Sequence, residues 1–317
     1  MAYGTADGPD DIERYYTDIR GGRAPSPEHL SELRDRYAAI GDRFPLSEIT
    51  RRQAEGLEGA LNAREPGRFR AYVGMKHSPP WIADAVADMR ADGVRRAVGI
   101  VMAPHWSAMS IPTYQERVEA AMGDGEAPAF SFVRGYHDHP AFIAFLAERV
   151  REARATLPSS VRDEALVVFT AHSLPVRTAG DGAFRCLRCA DDACTASCLY
   201  LDGLRETADL VAAAAGLRGW TVAWQSAGRT ADPWWGPRVE DVIRELGGSA
   251  TPGVVVCSAG FVADHLEILY DLDIEARAIA EQAGIAFART QMPNADPAFV
   301  GMLAEVVRAH LDQNAPA

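Results

Sequence analysis

The sequence predicts an α/β protein built from two similar doubly wound domains, each with a four-stranded parallel sheet flanked by helices. Two observations predict it. Short β-branched or apolar runs, bounded by Gly, Pro or turn residues, read as buried strands, and amphipathic helical patterns separate them. The same series of four runs also occurs once in each half of the chain, and 317 residues suit two domains of ~150 residues. Strands alternating with helices give parallel sheets covered on both faces.

In the first half the predicted strands are Met1–Tyr3, Phe69–Met75, Ala97–Met102 and Ala129–Val133. In the second they are Ala165–Ala171, Trp220–Trp224, Gly253–Ser258 and Ile285–Thr290. Predicted helices include Ser26–Ile40, Ile49–Ala63, Pro80–Asp92, Pro140–Leu157 and Leu201–Gly216. The halves join near residue 150, giving domains 1–150 and 151–294. The tail 295–317 is read as a helix, Asp296–Gln313, packed back on the first domain. Met1–Tyr3 is short for a strand, against a usual ~5–6 residues. The expectation is that translation starts further upstream.

No apolar run approaches the ~18 residues of a membrane span, and the first residues carry no signal-peptide pattern, so a cytoplasmic protein is expected. Thirty-two basic against 44 acidic residues, a net charge of −12, argue against nucleic acid as a partner. An anionic ligand must then be met by a local basic patch. No Gly-x-Gly-x-x-Gly or Walker signature occupies a strand-to-helix turn, which weakens nucleotide-binding readings.

Ligands of such sheets bind beyond the carboxyl ends of the strands. Tyr3-Gly4-Thr5, Lys76-His77, Pro104-His105-Trp106, His172-Ser173, Gln225-Ser226 and Gly260-Phe261 stand there. In Ala171-His172-Ser173-Leu174-Pro175, a buried strand brings an imidazole to the cleft edge, where it can take a proton near neutral pH; a structural histidine at a strand end gives the same pattern. Glu267, Asp271 and Glu275 are spaced i, i+4, i+8, which lines three carboxylates along one helix face. A divalent cation would relieve their repulsion, although a solvated acidic face also has this spacing. On this reading Asp264 and Asp273 are surface or capping residues and His265 packs or caps. Trp234 and Trp235, in a Gly/Pro-rich loop, suit a flat apolar ligand, an interdomain contact or core packing. Arg20, Arg23, Arg34 and Arg36 form a candidate anion clamp or ordinary surface ion pairs.

Cys186, Cys189, Cys194 and Cys198 lie within 13 residues, in an insertion at 180–200. Four thiolates at this spacing close a zinc site or hold an iron–sulfur cluster. Cys257 stands apart and reads as core.

Together these segments resemble the ferrochelatases, which insert ferrous iron into a porphyrin. The resemblance runs from Met1-Ala2-Tyr3-Gly4-Thr5 and Asp11-Ile12-Glu13-Arg14-Tyr15-Tyr16 through Ala171-His172-Ser173-Leu174-Pro175 and Trp224-Gln225-Ser226. It continues through Asp264-His265-Leu266-Glu267 to Gln291-Met292-Pro293-Asn294. It implies two chelatase-type, Rossmann-like domains with the porphyrin between them, catalysis by His172 and Glu267, and a metal path through His172, Glu267, Asp271 and Glu275. It also implies porphyrin contacts by Tyr3, Arg20, Arg23, Arg36, Tyr114 and Trp234. The short form without a membrane extension resembles enzymes of Gram-positive bacteria, actinobacteria among them, which make coproheme from coproporphyrin III. Protoporphyrin IX as substrate, and a porphyrin or haem carrier without activity, are the alternatives. The four-cysteine segment resembles the [2Fe–2S] sites of some bacterial members, with zinc as the alternative. Ferrous iron is the second substrate, and transient contact with neighbouring haem-pathway enzymes is expected. Two departures bear on the propionate contacts: Arg20 is followed by Gly21 where relatives have a second arginine, and Phe44 stands where they often have Ser.

Overall fold

The chain starts inside its first sheet. In the computed structural model, which describes residues 1–123, 128–180, 182–189, 198–228 and 230–314, Met1–Tyr3 lies between two neighbours. Ala2 N–H donates to Gly74 O (3.2 Å) and Lys76 N–H to Ala2 O (2.9 Å) on one side. On the other, the Met1 amino group donates to Ile100 O at 2.7 Å and Met102 N–H to Met1 O at 2.8 Å. Among the described residues of this half, regular pairing occurs only between β1 (Arg96–Gly99) and β2 (Ala129–Phe132), which run parallel. Met1–Tyr3 and the Phe69–Met75 segment are thus reduced to bridges, because three residues cannot satisfy two neighbouring strands along their lengths.

Five helices precede or flank these strands: α1 (Ile12–Ile19), α2 (Pro27–Ala39), α3 (Leu46–Asn62), α4 (Ile82–Ala91) and α5 (Ile111–Met122). The start of α2 is written locally. Ser26 Oγ accepts from His29 N–H at 3.3 Å, and Pro27 occupies the first turn, where no N–H is needed.

After α6 (Pro140–Thr156) the second half opens with β3 (Leu166–His172), then an unforeseen antiparallel hairpin, β4 (Val176–Thr178) with β5 (Phe184–Cys186). Next come α7 (Leu199–Ala215), β6 (Trp220–Gln225), α8 (Val239–Gly247), β7 (Gly253–Cys257) and α9 (Leu266–Leu269). A π-helical turn at Asp271–Ala276, α10 (Arg277–Gln282), β8 (Ala286–Arg289) and α11 (Pro297–Gln313) follow. The sheet has the order β6-β3-β7-β8 and is parallel throughout. Its central strands are covered on both faces: Val167, Val168, Phe169 and Val254 to Val256 are all fully buried.

Two contacts tie the halves together beneath the cleft. α11 packs on α3 and α6, and Arg308 donates to the carbonyls of Ala60 and Leu61. Gln53 of α3 donates to Val262 O (3.0 Å) and Asn294 O (2.8 Å). Above the cleft, Ile12, Tyr15, Leu30, Tyr37 and Ile40 share one apolar cluster with Leu266 and Leu269. This cluster seats α1 and α2 over α9. Cys257 is core, as expected.

Candidate active site

β3 ends at the cleft with His172. Beneath it a buried polar network fixes the strand ends. Thr170 Oγ1 and Ser258 Oγ both donate to Gln225 Oε1, at 2.6 and 2.7 Å, and Gln225 Nε2 donates to Glu267 O at 3.4 Å. His172 Nδ1 lies 2.5 Å from Ser173 O, a carbonyl that can only accept, so Nδ1 carries the hydrogen. Nε2 stands 3.7 Å from Glu267 Oε1.

Glu267, at the start of α9, is part-buried and its Oε2 has no hydrogen-bond partner. Burial alone would raise its carboxyl, but the imidazoles of His172 and His265 and the Arg36 guanidinium outweigh it and hold Glu267 at about 2. It is therefore a carboxylate at any working pH. His265 does cap α9, as expected, and it also stands 3.8 Å from Glu267 Oε2, so its role extends to the site. Burial works against its charged form, yet the carboxylate beside it raises the imidazole above its ordinary value.

Only Glu267 of the acidic ladder lies on an α-helix; Asp271 and Glu275 do not. From Tyr270 onward the backbone widens into a π-turn, with Glu275 N–H donating to Tyr270 O at 3.0 Å. Such insertions concentrate at functional sites because they re-aim side chains. Asp264 and Asp273, expected as surface or cap, instead clamp this turn. Arg289 on β8 donates to both carboxylate oxygens of Asp273 (2.7 Å each) and to Asp264 Oδ1 at 3.3 Å. Paired arginine–carboxylate bonds of this kind fix geometry as well as charge.

Asp271 points into the site and is nearly fully buried. Ser226 Oγ, on a left-handed residue (φ 55°), donates to its Oδ2 at 2.7 Å, and Arg36 pairs with Oδ1 while stacking on Tyr270 at 4.7 Å. Arg36, read as a porphyrin contact, is thus paired with Asp271 in this structure. Burial, aided by the Glu267 charge and opposed by Arg36, raises Asp271 from 3.8 to about 6. A raised folded-state pKa means that this group's stabilising contribution is complete below the unfolded value and is lost as pH climbs through about 6. Asp271→Asn should therefore gain stability relative to the unsubstituted protein by on the order of 2 kcal/mol between about pH 4 and pH 8. Urea melts across that range measure it, and a pH-independent difference contradicts it.

From the first half, Tyr3 stands exposed at the cleft with its ring 4.5 Å from that of His77, whose Nδ1 meets Asp18 at 2.6 Å. Arg20 lies over Tyr16, and Arg23 Nε reaches the Arg20 carbonyl at 3.3 Å. Among the described residues neither has an acidic partner within salt-bridge range. Tyr114 is buried beneath Lys76, 5.4 Å from its ammonium. Trp235, half-buried, stacks on the core residue Trp224, and Trp234, also half-buried, lies over Gly228, where any Cβ would sit 2.4 Å from the indole. Phe44 stacks on Tyr37 at 4.4 Å.

Lys76, at the cleft edge, is the one lysine in the chain. Burial, then the positive fields of Arg117 and Arg188, lower its ammonium to about 8. No salt bridge among the described residues neutralises Lys76 or Arg117, so a basic corner faces Tyr3 in an otherwise acidic protein. Its rarity as a lysine was the available signal. Tyr200 carried none: its hydroxyl donates to His172 O at 2.9 Å, a contact only the fold creates.

The hairpin and α7 bring Cys186, Cys189 and Cys198 together. All three are buried, with their sulfurs within 4.8 Å of one another and Cys186 Sγ 3.2 Å from Cys198 Sγ. A hydrogen bond from Cys186, with the backbone N–H groups of Leu201 and Tyr200 at the start of α7, lowers the Cys198 thiol to about 6. Cys194 lies outside the described residues. No helix among the described residues is long and apolar enough to cross a membrane.

Solved structures share this architecture. SirB from Bacillus subtilis, with Fe3+, superposes with a TM-score of 0.58 at 11% identity, covering 84% of this chain and 92% of SirB. CbiX, the terminal enzyme of siroheme biosynthesis in denitrifying bacteria, gives 0.53 at 15%, covering 84% of this chain and 94% of CbiX. At such identities the likeness shows the fold alone: chelatase-type α/β units with parallel sheets flanked by helices. At the strand ends of that fold stand the His172–Glu267 pair and the buried Asp271 carboxylate. The ferrochelatase family model matches residues 1–311. The coproporphyrin III ferrochelatase of Bacillus subtilis (strain 168) is 42% identical over 311 residues, 97% of this chain and 95% of that protein. That of Geobacillus sp. (strain WCH70) is 43% identical over the same shares. The chain belongs to the ferrochelatase family, enzymes that insert iron into a porphyrin.

Proposed function

We propose that the enzyme inserts ferrous iron into coproporphyrin III to give coproheme. The observation that carries this reading is the His172 Nε2 to Glu267 Oε1 pair, 3.7 Å apart, at the strand ends of a chelatase fold. The porphyrin lies between the lobes 1–150 and 151–294, with the tail helix on the first lobe. Two pyrrole N–H protons leave as one Fe2+ enters, so no redox step is needed. His172 accepts the two protons in turn at Nε2, its tautomer set by Ser173 O, passing each to solvent from its part-exposed ring, and Glu267 stays ionised to stabilise the imidazolium. Glu275, Asp271 and Glu267 offer iron exchangeable oxygen ligands on its way to the ring.

Coproporphyrin III, the molecule named for the relatives, carries four carboxylates. Arg20 and Arg23, and Lys76 and Arg117 near Tyr3, supply cations for them, with Trp234 and Tyr3 beside the ring. Anaerobic ferrous insertion, followed as loss of porphyrin fluorescence, should show kcat/KM for coproporphyrin III at least ~100-fold above protoporphyrin IX, since each unmatched buried charge costs a few kcal/mol. Preference for protoporphyrin IX removes the substrate assignment and keeps the chemistry. Binding of either porphyrin without insertion favours a carrier.

The three converging thiols, soft donors around a shared centre, fit a [2Fe–2S] cluster held by Cys186, Cys189, Cys198 and Cys194, in a reducing cytoplasm. Such a cluster supplies electron storage and a rigid covalent tie between hairpin and helix. Cys189→Ser should bleach a visible cluster absorbance in the isolated protein. A colourless wild type containing one zinc per chain, lost in the variant, assigns zinc instead.

A further inference from the structure

The turn 186–189 carries an arginine to the cleft from the second half of the chain. Cys189 N–H donates to Cys186 O at 2.9 Å, closing a turn whose central residues, Leu187 and Arg188, are both exposed. Its ends are fixed. The Cys186 and Cys189 side chains are buried, and Arg177 of β4 donates to Cys189 O at 2.6 Å. Leu187 N–H donates to Pro175 O at 2.9 Å, and Pro175 pairs in turn with Trp234. Pro175 ends the His172-Ser173-Leu174-Pro175 run, so the turn is bonded through backbone to the segment that carries His172.

Among the described residues Arg188 has no acidic partner. Burial, then Arg117 and Arg188, lower the Lys76 ammonium, so the field of Arg188 reaches a residue of the first half of the chain. Glu116 opposes them, with the smallest influence. Lys76 is held by a 2.8 Å bond to Thr113 Oγ1 and lies 5.9 Å from the Tyr3 ring, and Arg117 follows Thr113 by one turn of α5. Three cations from three separate segments thus converge beside Tyr3, in a protein with 44 acidic residues and a net charge of −12. An exposed arginine in a turn is ordinarily just solvated. Arg188 differs in that it adds to a basic corner already formed by Lys76 and Arg117. Like charges gathered in this way repel, and a carboxylate placed among them turns the repulsion into attraction.

We propose that Arg188 determines substrate specificity: with Lys76 and Arg117 it takes a carboxylate of the porphyrin, which makes the turn 186–189 a wall of the substrate cleft. This rests on the reading of coproporphyrin III as substrate. Arg20, Arg23, Lys76 and Arg117 all belong to the first half of the chain, and Arg188 closes the anion corner from the second. The guanidinium fork suits a carboxylate, and its position is set by a turn bonded at both ends.

Fluorescence titration of the metal-free porphyrin tests the contact. Arg188→Ala should bind coproporphyrin III about 10-fold more weakly than the unsubstituted protein, with a shallower dependence of affinity on salt. In turnover the loss should fall on KM rather than on kcat. Arg188→Lys should recover most of the affinity, because it restores the charge. A second measurement uses the unsubstituted protein. Phenylglyoxal labelling of Arg188, read by peptide mass spectrometry, should slow roughly 10-fold at coproporphyrin III about 10-fold above its Kd. The exposed Arg95, just ahead of β1, should keep its rate. Preference for coproporphyrin III with Arg188 unprotected and the alanine variant's affinity unchanged overturns the proposal and leaves the substrate reading standing. Equal binding of protoporphyrin IX and coproporphyrin III, with Arg188 protected by neither, removes the substrate reading and the proposal with it.

Discussion

His172→Ala should lower the rate of ferrous iron insertion by ~10³-fold while leaving porphyrin affinity within a few-fold. A positioned general base contributes ~10²–10⁴-fold, and the structure leaves no ready substitute. His265 turns its Nδ1 to Ala263 O at 2.9 Å and its Nε2 to the far oxygen of Glu267. Glu267, held at about 2, is too weak a base to take a pyrrole proton unaided. The imidazole is part-exposed and makes one backbone hydrogen bond, so its removal empties no core and the fold should survive. Stopped-flow absorbance of metalation, set beside fluorescence titration of the metal-free porphyrin, separates the two effects. Full turnover by the variant removes His172 from the chemistry. A parallel loss of porphyrin binding makes it a binding residue.

Glu267→Gln keeps the side chain's shape and removes its charge. Insertion should fall by ~10²–10³-fold if, as proposed, the carboxylate stabilises the imidazolium that forms on His172. The same substitution has a signature independent of turnover. Glu267 is what raises His265 against its burial, so in the variant the His265 imidazole should titrate at lower pH, followed by NMR. Loss of activity with His265 unmoved would place the effect of Glu267 elsewhere than in this pair.

The parts of this arrangement that local chemistry determines were legible in the residues. A β-branched run ending in His172, before a proline-forced turn, reads directly as a strand delivering a base. The i, i+4, i+8 spacing of Glu267, Asp271 and Glu275 reads as a shared face, although the π-turn that carries it is not visible in periodicity. What long-range packing decides was not legible. The Arg289 clamp on Asp273 and Asp264 joins a strand to a turn through side chains whose polarity suggests only surface. Arg36 lies 235 residues from the Asp271 it pairs with. Tyr200 reaches the His172 carbonyl because Cys198 starts α7 just before it. The cysteine segment therefore touches the site in space, despite its distance from both motifs in the chain.

The most direct measurement is a single turnover under anaerobic conditions. Protein preloaded with coproporphyrin III is mixed with one equivalent of ferrous iron while pH-indicator absorbance and the porphyrin spectrum are recorded together. The account predicts coproheme formation with two protons released per iron, without any added oxidant or reductant, and loss of both signals in His172→Ala. Retention of the metal-free spectrum by the unsubstituted protein, with iron bound and no protons released, would contradict it.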